Sequence, residues 1–275
     1  MIRQWMVALP TLVIGFLLAG CVSNQNDVVD SNETPDINGV WQVLGSAHWN
    51  LEGQNAFKGP ATNVLGALGG VPAGVSYVVG GLIPYKEEAV AQRDANRQEW
   101  NQLDPAVKCY IPGLPRQTYM PFPFHIVHSG NKVFIAYEFG SNSRIIHLDR
   151  PGTRAELPSW MGCSVGRWEG DTLVVLVTDQ VAETWFDASG NYHSDLLTVT
   201  ERYTPLGKDH MKYEAVIDDP KVFTRPWTIE MNLYRRKGAD ARILEYKCVE
   251  FAEDAVYGHL RKGAESVEPS VKNLF

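Results

Sequence analysis

Glu201 is the residue of this chain whose type and position could best do chemistry. In Leu196–Tyr203, Leu197, Val199, Glu201 and Tyr203 fall on one face of an alternating pattern, and Leu196, Thr198, Thr200 and Arg202 on the other. If the first face points inward, a carboxylate in the interior must be paired or must hold its proton unusually tightly. Arg144 is the expected partner, because Arg144, Ile146 and Leu148 alternate in a second strand. An inward acid with an inward arginine can fix a polar group of a ligand or move a proton. The same pair can equally be an ion pair that plugs the interior. His193, in a polar loop beside Asp195, is the candidate general base; its plain alternative is a solvated loop histidine. The expected catalytic set is thus His193, Glu201 and Asp195. Trp160, Trp168, Trp185 and Trp227 stand at strand ends or loops, where aromatic rings rim pockets or plug cores. Arg144, Trp168, Trp185, Tyr203 and Trp227 are the expected ligand-binding residues.

Other spacings suggest chemistry that their context opposes. Gly162-Cys163-Ser164-Val165-Gly166 matches Gly-x-Ser-x-Gly, and Asp187 and His193 follow in hydrolase order. That motif needs a strand, a strained turn and then a helix, whereas Trp168-Glu169-Gly170-Asp171-Thr172 continues as a hairpin. Asp187, Ser189, Asn191 and Asp195 occupy oxygen-ligand positions of a calcium loop, but Thr198 stands where the bidentate acid belongs. His125 and His128 point to opposite faces of a strand, and no cysteines have zinc spacing. Neither a metal nor a cofactor is expected.

The elements that must position these groups are mainly strands. Val133, Ile135 and Tyr137 alternate with polar or small residues, as do Met211, Tyr213, Ala215 and Ile217, and Trp227, Ile229, Met231 and Leu233. Such patterns are half-buried strands. Ser129-Gly130-Asn131, Glu169-Gly170-Asp171, Leu206-Gly207-Lys208 and Lys237-Gly238-Ala239 are turn signals between them. Short links imply antiparallel neighbours, so the expected fold is an up-and-down β-barrel or strongly curled sheet, lipocalin-like in the broad sense. One surface helix is expected over Tyr85–Leu103, opened by Pro84 and by Glu87 and Glu88 in its first turn, and ended at Asp104-Pro105.

Composition places the chain. It is 44% hydrophobic with eight tryptophans, hence globular, and carries a formal charge of −7 with no basic block. Nucleic acid is therefore not an expected partner. Residues 1–20 hold Arg3 and an apolar run from Trp5 to Leu18, the pattern of a signal peptide. Residues 21–37 read as a polar tether, 38–262 as one barrel-like domain and 263–275 as a tail. Gly59 to Tyr85 carries no charge, but its glycines and Pro72 favour a buried loop or an apolar flap over a membrane span.

Leu18-Ala19-Gly20-Cys21 resembles the bacterial lipobox, which implies acylation at Cys21 and a membrane as partner. Val22 after the cysteine implies, by the same resemblance, the outer membrane facing the periplasm. Gly39-Val40-Trp41 resembles the lipocalin start. The runs Lys108–Arg116, Trp168–Val175, Thr184–Asp187, His193-Ser194-Asp195, Glu201-Arg202-Tyr203 and Asp219–Trp227 resemble a large family of exported bacterial proteins, with the likeness spanning about residues 80–262. The resemblance implies export and carries no reaction. Cys109 and Cys248 both fall within it, whereas Cys163 sits mid-strand like a small core residue. A Cys109–Cys248 disulfide and a buried Cys163 thiol outside it are expected, in an oxidising compartment. The expected function is binding of a small apolar or aromatic molecule in a barrel pocket at the cell envelope. An acid/base enzyme using the same pocket and a structural envelope lipoprotein are the alternatives.

Overall fold

The structure, a computed structural model, describes residues 34–52 and 76–260. Cys21, the leader, most of the tether, the greater part of Gly59–Tyr85 and the tail lie outside the described residues. Nine strands close into a barrel in chain order. They are β1 (Gly39–Val43), β2 (Phe124–Ser129), β3 (Lys132–Tyr137), β4 (Asn142–His147) and β5 (Cys163–Glu169), followed by β6 (Thr172–Thr178), β7 (Thr198–Pro205), β8 (His210–Asp218) and β9 (Trp227–Arg235). β1 pairs with both β2 and β9, so the sheet has no open edge.

The period-two patterns point where the sequence places them. Val133, Ile135 and Tyr137, then Met211, Tyr213, Ala215 and Ile217, then Trp227, Ile229, Met231 and Leu233 are all buried. β6 departs from alternation: Leu173, Val175 and Val177 face the core and Val174 on the other face is buried too, although Leu176 beside it is exposed.

One pairing corrects the all-antiparallel expectation. β4 and β5 run parallel, with Ile146 opposite Ser164 and His147 opposite Val165. The connection 148–162 is long enough to return the chain to the starting end, which a hairpin turn is not. Gly166 serves this seam: a Cβ there would lie 2.7 Å from Ile146 Cγ2. The glycine of the Gly-x-Ser-x-Gly match thus lets a β4 side chain approach, and Ser164 is a buried strand residue with a hairpin after it.

The helix is shorter than expected and broken. α1 covers Glu87–Gln98 and α2 covers Trp100–Leu103, with Glu99 between them out of helical geometry. Asp104 ends α2, and its carboxylate accepts from Ala106 N at 2.9 Å to start a 3-10 turn over Pro105–Lys108.

Strand directions sort the connections by end. β1, β3, β6 and β8 finish, and β2, β4, β5, β7 and β9 begin, at one end of the barrel, which carries the long connections. The tight hairpins at 129–132, 169–172 and 205–210 close the other. After β9 the described residues form no further strand. Residues 241–249 have no regular secondary structure and return as an arm to the loop-bearing end. There Leu244 N donates to Glu138 Oε2 at 2.7 Å, Tyr246 packs on Phe122 and Phe139, and Phe251 N donates to Val107 O at 2.8 Å. Cys109 and Cys248 are bonded, with Cα atoms 5.7 Å apart, and Cys163 lies buried in β5 outside the disulfide.

Candidate functional site

Glu201 is on the inward face of β7 and fully enclosed. Its Oε2 accepts from Arg144 Nη1 at 2.6 Å, and its Oε1 accepts from Tyr203 Oη at 2.9 Å and Tyr213 Oη at 2.7 Å. Arg144, reaching in from β4, also donates through Nη2 to Tyr203 Oη at 2.8 Å. Burial alone would pull the guanidinium down, but the Glu201 charge more than offsets it and holds Arg144 well above its ordinary value. Burial, then the same carboxylate, pushes the Tyr203 and Tyr213 hydroxyls well up, so both stay protonated and donate. Each carboxylate oxygen therefore has a strong donor, and the group is closed off by its own network.

His193 is buried, contrary to a solvated loop position. Its Nε2 lies 2.6 Å from Thr184 Oγ1, and its Nδ1 lies 2.9 Å from the carbonyl oxygen of Ser194. Burial holds it below its ordinary value. Neither Asp187 nor Asp195 meets the ring. Asp195 is exposed and faces Lys221 Nζ at 3.3 Å. Asp187 accepts from Leu51 N at 2.9 Å, Ser189 N at 3.0 Å and Asn191 Nδ2 at 2.7 Å, and burial pushes it up to about 7. Asp219 ties the neighbouring loop in the same way, through Ser194 N at 2.6 Å and Ser194 Oγ at 2.9 Å. The acids of the polar loop motifs thus satisfy backbone and side-chain donors at the loop-bearing end. No group of three or more metal-ligating side chains occurs among the described residues.

The tryptophans divide. Trp227 is in the core, edge-on to Phe186 and Phe223, because inward parity on β9 leaves it no route to a rim. Trp185 packs with Trp49, Trp100 and Ala188 in a second, smaller apolar cluster. Trp168 is half-buried toward the hairpin end of β5, beside His128 at 5.7 Å.

A cleft of about 550 Å³ sits at the loop-bearing end, between the chain after β1, α2, the 3-10 turns at 105–108 and 116–119, and the C-terminal arm. Trp49, Trp100, Phe122, Phe139, Tyr246 and Phe251 give it apolar and aromatic walls. His48, Asp104 and Arg116 make its polar end. Glu201, Arg144, Tyr203, Trp168, Trp185 and Trp227 are not among its walls. Sequence reasoning missed this site because its residues come from separate segments with no common period. The available signal was the density of aromatic residues outside strands, and Arg116 closing the Lys108–Arg116 run.

Comparison with known proteins finds no matching family model, no similar curated protein and no similar solved structure.

Proposed function

We propose that this is a lipid-anchored protein of the bacterial cell envelope, held on the outer membrane by an acylated Cys21, that binds one small apolar or aromatic molecule. The binding site in this reading is the cleft at the loop-bearing end of the barrel, not the lumen around Glu201. The observation that carries it is the cleft itself: about 550 Å³, walled by aromatic rings, with a small polar end. That is the size and composition of small-molecule sites, roughly 300–1,000 Å³ and mostly apolar with a few placed polar groups. The leader ending at Cys21 and the resemblance to exported proteins support the location.

The enzyme reading has less support, because both ring nitrogens of His193 and both oxygens of Glu201 are occupied by neighbours. A structural envelope role is favoured by that same closed network. The two remaining readings part on one experiment. Protein extracted from native membranes is purified, its small molecules are released into organic solvent, and mass spectrometry compares it with Ala106→Trp, which fills the cleft from its half-buried edge. The binding reading expects one apolar compound class near stoichiometric in the parent and depleted in the variant. Equal or absent signal in both would leave the structural role.

A further inference from the structure

The polar end of the cleft carries almost no net charge. Asp104 and Arg116 pair there through two bonds, at 2.7 and 2.8 Å, with both side chains almost wholly buried. Each charge is spent on the other. His48 stands beside them: Arg116 Nη2 donates to the His48 carbonyl oxygen at 3.3 Å, and the imidazole lies edge-on to Trp49 at 5.8 Å. His48 is 8% exposed, and its Nδ1 has no hydrogen-bond partner among the described residues; neither does Arg116 Nε. Burial, then the Arg116 charge, drives the imidazole down to about 3, so it is neutral at any ordinary pH. Lys247 is exposed at the rim, and its ammonium faces Glu245 at 3.2 Å.

Resting on the cleft as a small-molecule site, we infer that it selects an uncharged aromatic molecule bearing a hydroxyl or carbonyl, and that His48 is the residue that reads this group. A carboxylate entering the cleft would find the Arg116 charge already matched by Asp104 through both terminal nitrogens, and the Asp104 charge beside it. An ammonium would find the carboxylate occupied in the same way. A plain hydrocarbon would fill the aromatic walls and leave the imidazole unmatched. A neutral imidazole offers one N–H and one bare nitrogen, so it serves a hydroxyl or a carbonyl equally. A half-turn of the ring exchanges its nitrogen and carbon edges without moving its plane, so a bound molecule can recruit either nitrogen.

Four probes of one shape test this at pH 7 by titration against the full chain: naphthalene, 2-naphthol, 2-naphthoate and 2-naphthylmethylammonium. The expected order puts 2-naphthol about tenfold tighter than naphthalene, the gain of one well-placed hydrogen bond, and both ions weaker than naphthalene. His48→Phe should abolish the preference, leaving 2-naphthol no tighter than naphthalene. His48→Gln, which keeps a hydrogen-bonding group, should retain part of the preference and serves if the phenylalanine variant fails to fold. Equal affinity for 2-naphthol and naphthalene, tightest binding of 2-naphthoate, or a preference that survives His48→Phe would overturn the inference and leave the cleft reading standing. Failure of all four probes to bind would overturn the cleft reading itself.

Discussion

Replacing Glu201 by glutamine keeps the shape of the side chain and removes its charge, which makes it a sharp test of how closed the barrel interior is. The amide oxygen can still accept from Tyr203 and Tyr213. The amide nitrogen, however, would face Arg144 Nη1, now 2.6 Å from Glu201 Oε2. Two donors would oppose each other, and a guanidinium only 3% exposed would lose its counter-charge. Breaking a buried pair from one side costs about 3–5 kcal/mol. For a domain of this size each kcal/mol lowers the melting temperature by about 2–4 °C, so the expected fall is roughly 6–20 °C. Urea unfolding followed by tryptophan fluorescence gives the free energy directly, and the two midpoints should move together. Arg144→Met should cost less, because the remaining carboxylate keeps its two tyrosine donors, whereas the guanidinium cannot shed its charge. Probe affinity for the cleft should be unchanged in folded Glu201→Gln protein. A loss below about 1 kcal/mol, the range of exposed pairs, would mean that water reaches Arg144 and that the interior is open after all.

Cys21→Ala should move the protein from the membrane pellet to the soluble fraction; a variant that still pelleted after a high-salt wash would place the anchor elsewhere in the chain. His48 is held at about 3 when folded and returns to its ordinary value near 6.5 when unfolded, so its contribution is intact above that value and is lost as the pH falls toward 3. From pH 7 to pH 5 this group should cost about 2 kcal/mol, at about 1.4 kcal/mol per unit, and His48→Gln should flatten that part of the urea-midpoint profile. Reducing Cys109–Cys248 opens a loop of 139 residues, for which chain entropy gives about 4–5 kcal/mol. Because the arm lies outside the barrel, hydrogen exchange should speed up at the Leu244 and Phe251 amides first while β7–β9 stay protected; simultaneous loss in the strands would show that the arm and barrel unfold as one unit.

The parts of this fold legible in the sequence are those governed by a period of two. β3, β7, β8 and β9 each bury one face, so parity alone puts Glu201, Tyr203, Tyr213 and Trp227 inside and brings Arg144 inward on β4. The same parity argues against Trp227 as a rim residue. The parallel β4–β5 pair was not legible, because the connection 148–162 shows only that a hairpin is absent, not which way the chain returns. The segment around Tyr246 and Cys248 mimics a strand, yet the barrel is already closed by β1 and β9 and offers no edge for it. His193 reads as a loop histidine from its neighbours; its burial depends on Thr184 and on the packing of loops far apart in the chain. The cleft is illegible for a related reason: His48, Trp100, Arg116, Phe139 and Tyr246 meet only because the long β1–β2 connection, the short β3–β4 link and the C-terminal arm gather at one end of the barrel.

Anomalous diffraction from crystals soaked in 1-bromonaphthalene tests the central claim most directly, since the bromine marks where an aromatic molecule settles. The account predicts a single strong peak in the cleft between Trp49, Trp100 and Phe139, lost in Ala106→Trp crystals. A peak inside the barrel beside Glu201 and Tyr213, or none at all, would contradict it.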